Sequence, residues 1–157
     1  MSKSELVKSK IKTPVKLTPK EAIAILGLFS ASTEAEGIIP TEEFPLIEML
    51  EGISPFEEDS EEDFNALTTK VNTIRDENEV ETLIPSAIAS LTKKQDRESA
   101  YIISAILILG MDEDIPESEE EYLFELQEAL KISDERAEEL IDEVFEELEE
   151  EEEEEEE

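Results

Sequence analysis

One arrangement in this chain constrains its fold more than any other. An apolar run from Ala100 to Leu109 leads into an acidic turn, Asp112-Glu113-Asp114-Ile115-Pro116, and then into a glutamate-rich amphipathic segment ending near Leu130. A blurred copy of the same order of events runs from Glu21 to Ile53. Each apolar run is hydrophobic nearly all round, which is the pattern of a helix buried at the centre of a bundle. Neither reaches the ~20 apolar residues needed to span a bilayer. The lysines ahead of Ala22–Phe29, with Ser30-Ala31-Ser32 behind, imitate a secretory signal. However, the basic leader is too long, Glu21 abuts the apolar run, and the second run sits where no signal can lie. Both runs read as core helices.

Around these two runs the periodicity predicts an all-α chain of about seven helices. Thr18-Pro19-Lys20-Glu21 is a helix start, with Thr18 as N-cap, Pro19 at the first helical position and Glu21 closing a capping box. A second helix is expected from Thr41 or Glu42 to Gly52, with Phe44, Ile47 and Leu50 inward and Pro45 in its opening turns. A third, capped near Asp59 or Ser60, carries Phe64, Leu67, Val71 and Ile74 on one stripe. A fourth, Glu79 to Leu91, is expected to kink or split at Pro85. The fifth is the apolar run at Tyr101–Leu109. The sixth opens at Glu117 or Ser118, with Tyr122, Leu123, Leu126, Ala129 and Leu130 inward, and Ser133 caps a seventh. Tyr101 and Tyr122 read as core aromatics with a hydroxyl at the edge. No period-two alternation and no Asn-Gly hairpin signal is present, so no strand is predicted. The organisation is a flexible lysine-rich arm at 1–17, a helical domain at 18–148 and a disordered poly-glutamate tail at 149–157.

Shifting the first unit by 76 residues sets Ile39-Pro40 on Ile115-Pro116 and Glu43 on Glu119, and a shift of 77 sets Glu21 on Glu98 and Gly27 on Ser104. The two units differ by one residue near the turn. Duplicated helix pairs of this kind usually bury their apolar faces against each other. The turns read Glu36-Gly37-Ile38-Ile39-Pro40-Thr41-Glu42-Glu43 and Asp112-Glu113-Asp114-Ile115-Pro116-Glu117-Ser118-Glu119. A buried helix followed by such a turn, twice in one chain, resembles the tellurite-resistance TerB-like family over roughly Thr18 to Leu148. The first copy has Glu36 where that family favours Asp, and the second has Glu113 where it favours Gly. The resemblance implies an all-helical, non-enzymatic protein of tellurite or general stress resistance that binds a divalent cation at the acidic turns. The residues it points to are Glu36, Glu43, Asp112, Asp114 and Glu119. Calcium or magnesium is the expected ion, because hard cations take oxygen ligands. The same acids also suit a helix N-terminus through the macrodipole, so capping on a solvated face is the competing reading.

Charge decides which partners are reasonable. The sequence has 46 acidic and 13 basic residues, for a net charge of −33, and six of the lysines lie at or before Lys20. So acidic a body repels phosphate backbones, which argues against nucleic acid. With no Cys and no His, thiol and Ser-His catalysis, haem, iron-sulfur and ordinary zinc sites are excluded. Paired carboxylates serve glycosidases, but this chain has no Trp and two Tyr to form a sugar platform, so no enzyme is expected. The missing cysteines fit a cytoplasmic protein. The alternative function is an acidic interaction module that binds basic proteins through Glu149–Glu157 and its acidic surface, or clasps its own lysine arm.

Overall fold

A computed structural model describes residues 7, 14–32, 38, 41–42, 45–50, 56, 58–109 and 117–143. Among these residues there are helices and connecting segments and no strand. The helices are α1 (Pro19–Ala31), α2 (Leu46–Leu50), α3 (Glu61–Glu77), α4 (Val80–Ser90), α5 (Lys94–Leu109) and α6 (Glu117–Ala129), followed by helical residues 134–143, here called α7.

Helix α1 is the axis of the molecule. Its start is the expected capping box: the Glu21 backbone N–H donates to Thr18 Oγ1 at 3.2 Å, and the Thr18 N–H donates to Glu21 Oε1 at 3.0 Å. These bonds satisfy two of the donors that every helix start leaves open. Every residue from Glu21 to Ser30 is buried. Ile23, Ile25, Leu26, Leu28 and Phe29 have no exposed surface, and each such burial stabilises the fold by about 1.5–3 kcal/mol. A helix apolar on all sides needs neighbours on all sides, and α1 packs chiefly against α5 and α4, with α3 and α2 completing the enclosure. The two apolar runs of the sequence therefore lie against each other.

Helix α3 obeys its stripe. Ser60 and Asp63 form a second capping box, Phe64, Val71 and Ile74 are buried, and Leu67 is half-buried. Asn78 stops the helix, its Nδ2 donating to the Ile74 carbonyl at 2.9 Å. Helix α4 runs through Pro85 without a split. Its buried Ser86 accepts a hydrogen bond from the Val15 N–H at 3.0 Å. That bond brings in the preceding segment: Val15 and Leu17 pack against the core, and Val7 is buried in it. These three residues belong to the stretch expected as an arm. Val15 and Leu17 show no helical period because they lie in a segment outside the helices, tied to Ser86 far along the chain.

Two expectations are corrected. Helix α2 starts after Pro45, not at Thr41 or Glu42; Leu50 is buried as expected and Leu46 with it, Ile47 is half-buried, and Phe44 lies outside the described residues. A proline disfavours helical backbone in the residue before it, so the ring sets the start and the face follows at i and i+4. Thr41 and Glu42 form a turn, and Thr41 Oγ1 donates to Asn72 Oδ1 at 3.1 Å. The second correction concerns Tyr122. Its hydroxyl lies at the centre of the core and not at an edge. Ser30 of α1 bonds Ser104 of α5 at 2.9 Å and Tyr122 of α6 at 2.8 Å, and all three residues are fully buried. Phe29 meets the Tyr122 ring edge-on at 5.4 Å. Small residues, Gly27 on α1 and Ala100 on α5, are buried one turn before the two serines.

Helix α6 ends in a turn that no glycine announces. The Ile132 N–H donates to the Gln127 carbonyl and the Lys131 N–H to that of Glu128, with Lys131 at φ 60. This is the double bond pattern of a Schellman C-cap, with lysine in the position usually held by glycine.

Tyr122→Phe withdraws one hydroxyl from the buried cluster and should lower unfolding free energy by about 1–3 kcal/mol. Lys131→Gly should raise it by about 1 kcal/mol, by removing a side chain from left-handed backbone. Urea denaturation of both variants checks these; an unchanged midpoint for Tyr122→Phe would mean that the cluster does not hold the core together.

Candidate functional site

The side chains at the C-terminal end of the bundle are held by a chain of local bonds. Gln127 is buried, and its Nε2 donates to the Ile132 carbonyl at 3.2 Å and to Asp134 Oδ1 at 2.8 Å. Ser133 accepts from the Arg136 N–H at 3.2 Å and so caps α7 as its sequence implies. Arg136 then reaches back to α5, its Nε and one terminal nitrogen donating to the two oxygens of Glu98 at 2.9 and 3.0 Å. Its other terminal nitrogen donates to Glu139 at 3.0 Å. A two-pronged guanidinium–carboxylate pair fixes direction as well as distance. Ala137 and Leu140 bury the inner face of α7, and Ile141 packs beside them.

The outcome is a hydrogen-bonded platform whose outer faces are acidic. Between residues 117 and 143 the chain has twelve acidic side chains and two basic ones, Lys131 and Arg136. On α6, Glu117, Glu120, Glu121 and Glu128 are exposed; on α7, so are Asp134, Glu135, Glu138, Glu139, Asp142 and Glu143. Among them stands Phe124, 49% exposed and the one large hydrophobic residue so uncovered among the described residues.

Electrostatics within the platform follow from these contacts. The Arg136 bond holds the Glu98 carboxyl below the usual glutamate range, and Glu98 and Glu139 in turn push the Arg136 guanidinium upward. Burial raises the Tyr122 phenol, with the charge of Glu119 adding to it. Burial also raises Tyr101, reinforced by Asp134.

A second feature is an open cleft of ≈ 340 Å³ where the starts of α1 and α3 meet, lined in part by Thr18, Glu21, Asp63 and Lys70. Lys20 crosses it to both oxygens of Asp59 at 2.8 and 3.0 Å and lies 5.8 Å from the centre of the Phe56 ring. Bonds from Ser60, first its backbone N–H and then its hydroxyl, hold Asp63 low. The carboxylates of this cleft are thus engaged in capping and pairing.

Of the five cation-ligand candidates, Glu36, Glu43, Asp112 and Asp114 lie outside the described residues. Glu119 sits half-buried in the first turn of α6, three residues before Tyr122. Among the described residues no group of three or more acidic side chains is arranged to hold a metal ion. Likewise, among those residues no helix is long and apolar enough to cross a membrane. Sequence reasoning missed the platform's supports, Gln127 and the Glu98–Arg136 pair. The pair joins residues 38 apart, so no local pattern announces it. Comparison of the chain with family models, with curated proteins and with solved structures finds no match.

The platform's pH dependence has a definite sign. The pKa of Glu98 is lower in the folded protein than in the unfolded chain, so the Arg136 contact contributes its stability above the unfolded value and loses it as pH falls through the folded one. Glu98→Gln should therefore be less stable than the parent near neutrality, with the gap closing as the solution is made acid. Thermal melts of both proteins across that range test it, and a gap independent of pH would contradict it.

Proposed function

We propose that this chain is a non-enzymatic, all-helical binding protein that works by capturing a divalent cation or a positively charged protein partner. The observation that carries the reading is the platform at residues 117–143. It holds twelve carboxylates against two cations, one of which, Arg136, is committed to Glu98 and Glu139. A surface of that composition attracts positive charge and repels negative charge. The resemblance to TerB-like tellurite- and stress-resistance proteins supports the cation form, with Glu36, Glu43, Asp112, Asp114 and Glu119 as its oxygen donors and calcium or magnesium as its ion. The cysteine-free sequence supports a cytoplasmic setting for this role.

A second reading is favoured by the same platform and by the run Glu149–Glu157: an acidic interaction module whose ligands are basic proteins. The two readings part on what saturates the protein. A cation site takes a fixed number of ions, whereas a charge-driven surface weakens steadily as salt screens it.

Titration with calcium, and separately with magnesium, tests the first reading by calorimetry and melting temperature. A saturable heat is expected, with a stability gain of about 2.7 kcal/mol at a hundredfold excess over Kd. Both should be lost in the double variant Asp112→Asn, Glu119→Gln. Equal responses from parent and variant would end the cation reading.

A further inference from the structure

We propose that the outer face of α6 docks a lysine- or arginine-rich segment of a partner protein, with Phe124 as the anchor for one large apolar side chain of that segment. This rests on the reading of the chain as an acidic interaction module and names the contact within it.

Spacing gathers the groups concerned. Glu117, Glu121, Phe124 and Glu128 fall at i, i+4, i+7 and i+11, so they share one stripe of the helix, with Glu120 one turn before Phe124. All five are exposed. The opposite face of the same helix buries Tyr122, Leu123, Leu126 and Leu130, so its orientation is fixed and the stripe cannot turn inward. The corner formed by Gln127, Lys131 and Arg136 holds the end of the helix in place.

The macrodipole accounts for acids in the first turn, Glu117 and Glu120, but not for Glu121 and Glu128 beside Phe124 further along the stripe. A single exposed phenylalanine is ordinary. Like charges one helical turn apart, such as Glu117 with Glu121, work against the helix that carries them. The Phe124 ring set among them keeps about half of its surface open to water in the free protein. A partner supplying cations relieves the repulsion, and its apolar side chain covers the ring. An aromatic anchor ringed by polar contacts that exclude water is the usual composition of an interface centre.

Charge complementarity selects the occupant. Anionic lipid and nucleic acid are repelled, and a second copy of a chain with net charge −33 presents the same repelling face. An uncharged apolar peptide finds one ring and loses the glutamates. A basic segment with an apolar residue uses both, and its cations can also approach the ring face.

The test uses the full-length protein and a fluorescein-labelled peptide in which lysines alternate with a leucine at every third or fourth position. A control peptide has serine in place of each leucine. Anisotropy titrations are run at low and at moderate salt. The leucine peptide should bind, more weakly as salt rises, and Phe124→Ala should weaken it about tenfold. Phe124→Leu should recover most of the loss, while an unchanged melting curve shows that the fold is intact. The triple change Glu120→Gln, Glu121→Gln, Glu128→Gln should weaken binding chiefly at low salt. Removing as much charge from α3, by Glu62→Gln, Asp76→Asn and Glu77→Gln, should have little effect. The proposal is overturned if Phe124→Ala binds like the parent, if the serine peptide binds as tightly, or if the α3 variant loses as much. In each of those outcomes a peptide still binds, so the acidic-module reading survives. If no basic peptide binds, both fall together.

Discussion

The burial of α1 on every side is the constraint on which the rest of this structure depends. Ten consecutive residues, Glu21 to Ser30, are withdrawn from water, and no single neighbour could accomplish that. Helices α4 and α5 make most of the contacts with α1 and α3 and α2 add the rest, while Val15 and Leu17 pack against the same core. The arrangement explains why so acidic a chain folds. Self-repulsion at a net charge of −33 opposes compaction, and surface ion pairs, worth roughly 0–1 kcal/mol each, offset little of it. Apolar burial along one central helix outweighs both.

Because the core lies along α1, the charge goes to the periphery. Near the α1 and α3 starts Glu21 and Asp63 serve as caps, each accepting from the backbone N–H of the residue that opens its helix, and Asp59 pairs with Lys20. The glutamates of the outer α6 stripe, Glu117, Glu121 and Glu128, face solvent instead. Their scaffold, by contrast, is tightly specified: the C-cap at Lys131, the amide of Gln127 and the two-pronged bond from Arg136 to Glu98. Acidic surface on a hydrogen-bonded support differs from acidic surface on a loose chain. It presents its groups at set intervals, which lets shape contribute to recognition along with charge.

Much of the fold is legible in the sequence because local rules govern it. The Thr18–Glu21 capping box, a cap near Ser60, the α3 stripe, the buried runs at α1 and α5 and the Ser133 cap depend on residues within one or two turns of each other. What escapes depends on partners far along the chain. Ser30, Ser104 and Tyr122 look unremarkable singly, and their meeting is visible only when three helices converge. The α2 face is hard to read because Pro45 has the look of an opening residue when it sets the boundary. Lys131 gives no hint of its backbone, since the turn is imposed by the hydrogen bonds around it. The candidate site is less legible. The acids of the two turns come from a resemblance, and only Glu119 among them lies in the described residues. Phe124 sends no signal because it falls outside the inward stripe.

The hydroxyl cluster has a bearing on how the molecule can come apart. Ser30 belongs to the first unit of the apparent duplication, Ser104 and Tyr122 to the second, and Ser30 bonds both of them across the boundary. Split the chain between them and the Ser30 hydroxyl would lose both of these bonds on an oily surface. Repeat proteins of the stacked kind can shed terminal units one after another. This molecule has the sequence look of a pair but is wired to stand or fall as one.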